Sequence, residues 1–498
     1  MISYPNDIVV PGTNGRFNYG GLGCRAFKMK HHIERIKLYT YLLNPLIPRK
    51  NRACRSFGKD VLLSYNLLEK SQWWSRPELE NYQNEKVAKL IRHAYENIPY
   101  YRQLLKQHRL LPEEIKTAED LAKIPVLTKR NIQENFPSKI AIPAKYSDLP
   151  LYTTGGSTGE PLKFFPDERS DALAWASFFR FLSWAGYLWG DRINVFWRQV
   201  PKAAHRRFYV DWIGFLKKRY VPNLRYYNAS KMNDAALAFY IQQIKKSKNF
   251  VLRGYVSALK HLASYIRNNG IEPLHPKFIT TTAEALSEGD RESLKNTFQC
   301  DVFDQYGCTE IMGVANECPE HSGLHISPEH VVVEVVNEKG ERVGDGMYGQ
   351  LAITDLDNYT MSFIRYVNGD FGRLLNRDCA CGRSMPMMDY VSGRSIDVIR
   401  GPNGTVAHGL YFVTLLKEAG LYDGYDILDY EIVQKKTDVL DCNFVFGIKP
   451  PGEAVEAFRN ACRNHFGQMK ININFLKEIP KSASGRRRFI RSEINSIV

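Results

Sequence analysis

Between about residue 150 and residue 306 the sequence keeps changing texture. Short apolar runs, "RINVFW", "NFVLRGY", "KFITTTAEAL" and "CDVFDQYG", are strand-like, with helical stretches such as "DALAWASFFRFLSWAGY" and "AALAFYIQQIKKS" between them. Alternation of this kind points to an α/β layered domain. Before it, residues 60–145 read as helical: "PELENYQNEKVAKLIRHAYENIPYYRQLL" sets Val87, Leu90, Ile91 and Ala94 at helical spacing, and Pro99 ends the pattern. After it, residues 325–375 read as an antiparallel β subdomain built on "HVVVEVVNEKGERVGDGMYGQLAITDL". The last ninety residues or so, with "YEIVQKKTDVLDCNFVFGI", "GEAVEAFRNACRNHF" and "MKININFLKEIP", suggest a small α+β domain.

At 498 residues, 44% hydrophobic and 24% charged, the chain has the make-up of a soluble globular protein of several domains. No apolar run approaches the roughly 20 residues that span a bilayer. The start, "MISYPNDIVVPG", lacks the basic and apolar regions of a secretory signal. Nine cysteines, odd in number and unevenly spread, argue against a secreted disulfide framework. The expected compartment is the cytoplasm.

The net charge of +15 is concentrated at one end: residues 1–60 carry eleven Lys/Arg against three acids, a balance of +8. This basic arm reads either as a solvated segment or as a peripheral contact with an anionic membrane surface, such as the inner face of a cell membrane. No groove-reading module or zinc finger accompanies it, so nucleic acid is not an expected partner.

"YTTGGSTGEPLKF" (152–164) looks like a phosphate cradle. A Walker loop needs lysine directly after its last glycine, and here Gly159 is followed by Glu160 and Pro161. What remains is a loop of backbone N–H groups and hydroxyls that can wrap an anionic oxygen, or else a surface turn. Downstream come "TTAEAL", "DQYGCTE", "YVNGDFG", "SGRSID" and "PKSASGRRRF", in that order.

Together these motifs resemble the adenylate-forming enzymes, the acyl- and aryl-CoA ligase superfamily. "LIRHAYENIPYYRQLL", "IPVLTKRNI", "LRGYVSAL" and "CPEHSGLHISPEHVVVEVV" are similar to the phenylacetate–CoA ligase family, and most in texture to its CapK-like capsular-polysaccharide branch. The resemblance covers roughly residues 60–498. It implies a basic arm over 1–59, a large adenylating domain over 60–396 and a small α+β lid over 397–498 that turns about Asp397. It further implies an ATP-dependent, AMP-forming carboxylate ligase that passes an acyl group to CoA or to a sugar or amine acceptor, in cell-surface polysaccharide assembly.

By the same resemblance, Thr153, Thr154, Gly155, Gly156, Ser157, Thr158, Gly159 and Lys163 would hold the β- and γ-phosphates of ATP. Ala283 and Glu284, with Asp304, Gln305, Tyr306 and Gly307, would flank the adenosine, Tyr306 stacking on adenine. Thr309 would donate to the α-phosphate and Glu310 would help hold Mg²⁺. Asp370 would accept from the ribose hydroxyls, and Arg394 would add a donor fork nearby. Two departures stand out. Thr282-Ala283-Glu284 replaces a Gly-Gly-Glu-like stretch, and Arg486 stands where the superfamily has the lysine that reaches the α-phosphate, with Lys481 nearby. That exchange leaves a second possibility: a catalytically weak, nucleotide-binding scaffold of polysaccharide assembly.

Cys318, His325, Cys379 and Cys381 form C-x6-H followed by C-x-C. Three thiolates and an imidazole suit a closed tetrahedral zinc, and members of the resembled family carry a metal at such a place. The alternative is three reduced cysteines and a surface histidine, with His321 and His330 as rival ligands. A zinc here would tie the β subdomain to a distant strand.

Overall fold

The structure is a computed structural model. It describes residues 59–142, 151–154, 161–188, 190–198, 223–344, 346–391, 393–394, 398–408, 412, 415–416, 418–421, 425, 427–479 and 490–494. The basic arm up to residue 58, the loop residues Gly155, Gly156, Ser157, Thr158 and Gly159, and Asp397, Lys481 and Arg486 lie outside the described residues.

The leading helical segment divides into α1 (Lys59–Ser71), α2 (Arg76–Asn97), α3 (Pro99–Gln107) and α4 (Lys129–Asn135). At the start of α2, the Glu78 carboxylate accepts from both the N–H and the hydroxyl of Ser75, each at 2.7 Å, which fixes the first turn. Val87, Leu90, Ile91 and Ala94 are all buried. Ile98 is extended (φ −113°, ψ 109°), as the residue before a proline tends to be, and Pro99 then opens α3 where its missing N–H costs nothing.

The alternating region forms β1 (Tyr152–Thr153), β2 (Lys163–Phe164), α5 (Glu168–Trp184), β3 (Arg192–Trp197), β4 (Asn223–Asn228), α6 (Asp234–Lys245), β5 (Phe250–Gly254), α7 (Val256–Asn268), β6 (Ile279–Thr282), α8 (Glu288–Phe298) and β7 (Val302–Tyr306). Strands β4, β3, β5, β6 and β7 lie side by side and parallel. Period-2 patterning explains why both faces are covered. Val195, Val251, Phe278 and Phe303 point to one core with Phe178, Phe181 and Leu182 of α5. Their neighbours Phe196, Leu252, Ile279 and Val302 point to the other, against Leu237 of α6, Leu259 and Leu262 of α7 and Leu294 of α8.

Beyond β7 come β8 (Ala315–Glu317), β9 (Leu324–Ile326), β10 (Val331–Val336), β11 (Gly349–Asp355), β12 (Tyr366–Gly372), β13 (Leu374–Leu375), β14 (Met387–Met388) and β15 (Gly393–Arg394). Strands β8, β9, β14 and β13 extend the parallel sheet antiparallel, giving nine strands in all. Strands β10, β11, β12 and β15 form a separate antiparallel sheet of four. The antiparallel subdomain expected over 325–375 is therefore real but offset: it starts at Val331, because His325 and Leu324 pair with Met387 and Met388 in the larger sheet. Behind the junction, Arg180 of α5 and Glu329 meet at 2.7 Å with both side chains buried.

The remainder forms β16 (Val398–Arg400), β17 (Val406–His408), β18 (Ile427–Lys436), β19 (Val439–Phe446), α9 (Gly452–Phe466), β20 (Lys470–Phe475) and β21 (Ile490–Ser492). A four-stranded sheet in the order β20-β19-β18-β21 carries Ile432, Leu440, Cys442 and Phe444 onto Phe458, Cys462 and Phe466 of α9. This is the α/β architecture with a terminal α+β unit that the sequence suggests. Among the described residues no helix is long and apolar enough to cross a membrane.

Candidate active site

Ligands of parallel α/β sheets bind at the carboxyl ends of the strands, and the residues singled out in the sequence gather there. Tyr306 ends β7, Glu284 follows β6, and β12 of the neighbouring sheet runs past them. The contacts cross over between the two sheets. Tyr306 donates its hydroxyl to Asp370 Oδ2 at 3.0 Å, while Tyr366 of β12 donates to Glu310 Oε1 at 3.0 Å. Asn368 Nδ2 donates both to Tyr306 Oη (2.9 Å) and to Asp370 Oδ2 (2.7 Å). Residues 366, 368 and 370 all lie on β12, whose register with β11 shifts here and where Gly369 takes φ +86°, so a bulged stretch of one strand carries the whole latch.

Both tyrosines are held well above the ordinary phenol range, by burial first and then by Asp370 beside Tyr306 and Glu310 beside Tyr366. They keep their protons, and the two carboxylates are left as acceptors. Asp370 is in register with Arg394 on β15, which brings the two residues expected near the ribose side by side. Asp370 thus sits within a strand.

The glycine loop closes on a hairpin. Thr153 pairs with Lys163, and Thr154 donates its N–H to Leu162 O (2.9 Å) while its hydroxyl accepts from Leu162 N–H (3.0 Å). Thr153 and Lys163 are exposed. Leu162 and Phe164 share a core with Tyr306, Ile311 and Tyr366, which sets the hairpin against the latch. Thr309 is exposed in the loop between β7 and β8, where Cys308 N–H donates to Ile311 O at 2.9 Å. In that loop Gly307 sits close against the backbone: a Cβ there would meet Gly313 N at 3.2 Å and Ile311 O at 3.4 Å.

Ala283 adopts φ +66°, the left-handed region that glycine enters freely and alanine only with strain. A Gly-Gly-Glu-like stretch would meet that demand more easily; the backbone conformation is kept here without the glycine. Glu284 accepts from Ser257 N–H (2.7 Å) and its hydroxyl (3.0 Å), with Arg198 3.6 Å away. Asp304 is buried and accepts from Thr281 Oγ1 at 2.7 Å. Burial, then the neighbouring Glu317, pushes its carboxyl up to about 7. Gln305 accepts from Arg253 at 3.2 Å. Asn368, Tyr366 and Arg253 were not singled out from the sequence; for the first two the signal was present, since they belong to the same "YVNGDFG" motif as Asp370.

A second cluster lies at the antiparallel edge of the large sheet. Cys318 and Cys379 Sγ are 3.6 Å apart, Cys381 Sγ and His325 Nε2 are 3.4 Å apart, and all four ligand atoms fall within 4.8 Å of one another. Zinc bonds of about 2.3 Å to sulfur and about 2.0 Å to nitrogen in a tetrahedron separate the ligand atoms by roughly 3.5–3.8 Å, so this donor set fits zinc. His325 is completely buried, which overturns the alternative of a surface histidine, and its Nδ1 has no partner among the described residues. The rivals are engaged elsewhere: His321 with Glu317 at 2.9 Å and His330 with Asp357 at 3.2 Å. The cluster belongs to the nine-stranded sheet, joining β8 and β9 to the segment before β14, and not to the four-stranded β subdomain.

No family model matches the chain. Phenylacetate–coenzyme A ligase of Pseudomonas putida is 28% identical over 346 residues, covering 68% of this chain and 76% of that protein. Protein CapK of Staphylococcus aureus is 23% identical over 423 residues, covering 84% of this chain and 90% of CapK. The chain is similar in sequence to the phenylacetate–coenzyme A ligases. Its fold is also that of 2-hydroxyisobutyryl-CoA ligase, solved in the postadenylation state with 2-HIB-AMP: TM-score 0.67 at 19% identity, over 85% of this chain and 93% of that one. The likeness in fold spans both the large layered sheet and the terminal α+β unit of this chain, since it covers 85% of its length.

Proposed function

We propose that this protein is an AMP-forming carboxylate–CoA ligase. The observation that carries the proposal is the crossed latch Tyr306–Asp370 and Tyr366–Glu310, which ties the loop bearing Thr309 and Glu310 to β12 at the carboxyl end of β7. In the first half-reaction a carboxylate oxygen of the acid bonds to the α-phosphorus of ATP, and the bond from that phosphorus to the β-bridging oxygen breaks. In the second, the CoA sulfur bonds to the acyl carbon and AMP leaves.

Charge is the difficulty in the first step, and preorganised donors are the remedy. The Thr153–Lys163 loop would cradle the departing pyrophosphate and Thr309 would donate to the α-phosphate. Asp370, aligned by Tyr306 and Asn368, would accept from the ribose, with Arg394 across the strand pair. Tyr306 would lie under the adenine, and Ala283, Glu284, Asp304, Gln305 and Gly307 would wall the adenosine. Glu310 would hold Mg²⁺, which when bound neutralises phosphate charge. Arg486 would supply the cation that the superfamily draws from lysine. Residues 397–498 would act as the lid that separates the half-reactions. Cys318, His325, Cys379 and Cys381 would hold a structural Zn²⁺, which when bound clamps the sheet edge. The similarity to CapK favours a place in capsular polysaccharide synthesis.

Purified protein incubated with ATP, Mg²⁺, CoA and individual organic acids tests this. AMP and an acyl-CoA thioester should appear together with at least one acid. Release of ADP and phosphate, or of nothing with every acid, contradicts it.

A further inference from the structure

Arg253, on β5, carries a charge that the proposed adenylating machinery leaves unused. Its guanidinium lies over the Phe178 ring at 4.1 Å and faces Trp197 at 5.9 Å, so its flat faces are taken by aromatic surface. Its polar edge meets a single neutral acceptor, Gln305 Oε1, 3.2 Å from Nη2. Nε is buried and has no partner, and no carboxylate lies within ion-pair distance among the described residues. The buried arginines are matched, Arg180 with Glu329 at 2.7 Å, Arg291 with Glu317 at 3.0 Å and Arg365 with Glu334 at 3.0 Å, whereas Arg253 is half-buried and has no such partner among the described residues. Burial lowers the basicity of Arg253 to about 10, with the nearby Tyr226 and Tyr255 pulling the other way, so it stays cationic near neutrality.

A half-buried cation with a sealed, unpartnered N–H lowers stability unless something else uses it. Its place says what that is. Arg253 is the penultimate residue of β5, on the face of the sheet covered by α5. Its hydrogen-bond partner Gln305 is the residue before Tyr306. The unsatisfied Nε and the adjoining Nη2 form one side of the planar fork, the side that grips a carboxylate with two parallel N–H bonds.

Resting on the ligase assignment, we infer that Arg253, tethered through Gln305 to the adenosine wall, forms the subsite that reads the far end of the acid, and that the substrate carries a second anionic group, most simply a second carboxylate. Phe178 and Trp197 hold the fork in plane, and an acid with an apolar tail leaves the guanidinium desolvated and unmatched. Sites built around a buried polar group discriminate strongly against analogues that cannot pair with it.

The test uses matched acids that differ only in the second carboxylate: glutarate against pentanoate, and 4-carboxyphenylacetate against phenylacetate. Wild type and Arg253→Met are compared, the methionine keeping length and apolar packing. ATP–pyrophosphate exchange gives one readout, and isothermal titration of the same acids gives a second that needs no turnover. At least one dicarboxylate should be favoured over its partner at least tenfold by wild type, and Arg253→Met should abolish that preference while leaving the melting temperature as high or higher. Equal use of the members of each pair, or an unchanged preference in Arg253→Met, overturns the inference. Should exchange be silent with every acid, the ligase assignment fails by itself. Titration then decides the subsite: loss of dicarboxylate binding in Arg253→Met supports it, and equal or absent binding in both proteins overturns it.

Discussion

Asp370 owes its orientation to two neighbours, the Tyr306 hydroxyl and the Asn368 amide. Hydrogen bonds to a charged group contribute about 1.5–3 kcal/mol, so Tyr306→Phe should raise the KM for ATP roughly 10-fold or more, and Asp370→Asn further, with the melting temperature little changed. An unchanged KM in both variants would remove Asp370 from the nucleotide site. Asp304 makes a different prediction. Its folded-state carboxyl is raised from 3.8 to about 7 by burial and by Glu317. The folded chain therefore binds a proton there that the unfolded chain has lost, and this group's contribution to stability falls as pH rises from about 4 to about 7. Urea unfolding of Asp304→Asn should show a gain over wild type that grows across that window and is flat above it; a constant difference from pH 4 to 8 contradicts the shift. At this scale the motif residues were legible, because each motif declares its own chemistry. The latch was not: its second half, Tyr366 to Glu310, depends on how two sheets face each other, and no local pattern encodes that. Nor was the isolation of Arg253, which depends on which acids the fold brings near.

Among the elements, those with strong periodicity were legible. Val87, Leu90, Ile91 and Ala94 marked the buried stripe of α2, and the alternating cores of β3, β5, β6 and β7 followed from short apolar runs between helices. Strand β4, "NLRYYN", was missed because its apolar residues are interrupted by Arg225 and it is held as an edge by pairing with β3 alone. The two-residue strands β13 and β14 are too short to carry any periodic signal. They matter because they complete the sheet edge where Cys379 and Cys381 approach Cys318 and His325. Closing that edge with a metal predicts about one zinc per chain by elemental analysis. Cys381→Ser should lower the content below about half an equivalent and lower the melting temperature by several degrees, since a structural zinc contributes directly to folding. A metal-free wild type of the same stability would leave the cluster as buried thiols.

Across the whole molecule, two sheets meet along β12 and the carboxyl ends of the parallel strands, and the terminal α+β unit reaches back through Arg400, which pairs with Glu338. That arrangement accounts for a site assembled from residues more than two hundred positions apart, from Thr153 to Asp370. Segment order and fold class were legible because motif order along the chain carries them; the contact of the terminal unit with Glu338 was not, since no local pattern relates residues so far apart. The measurement that bears most directly on the function is exchange of labelled pyrophosphate into ATP, with Mg²⁺ and a panel of mono- and dicarboxylic acids, in wild type, Arg486→Ala and Arg486→Lys. Acid-dependent exchange in wild type, reduced at least tenfold in Arg486→Ala and kept or raised in Arg486→Lys, is the expected result. Clear ATP binding without exchange for any acid, in any of the three proteins, would contradict adenylation and leave a nucleotide-binding scaffold in its place.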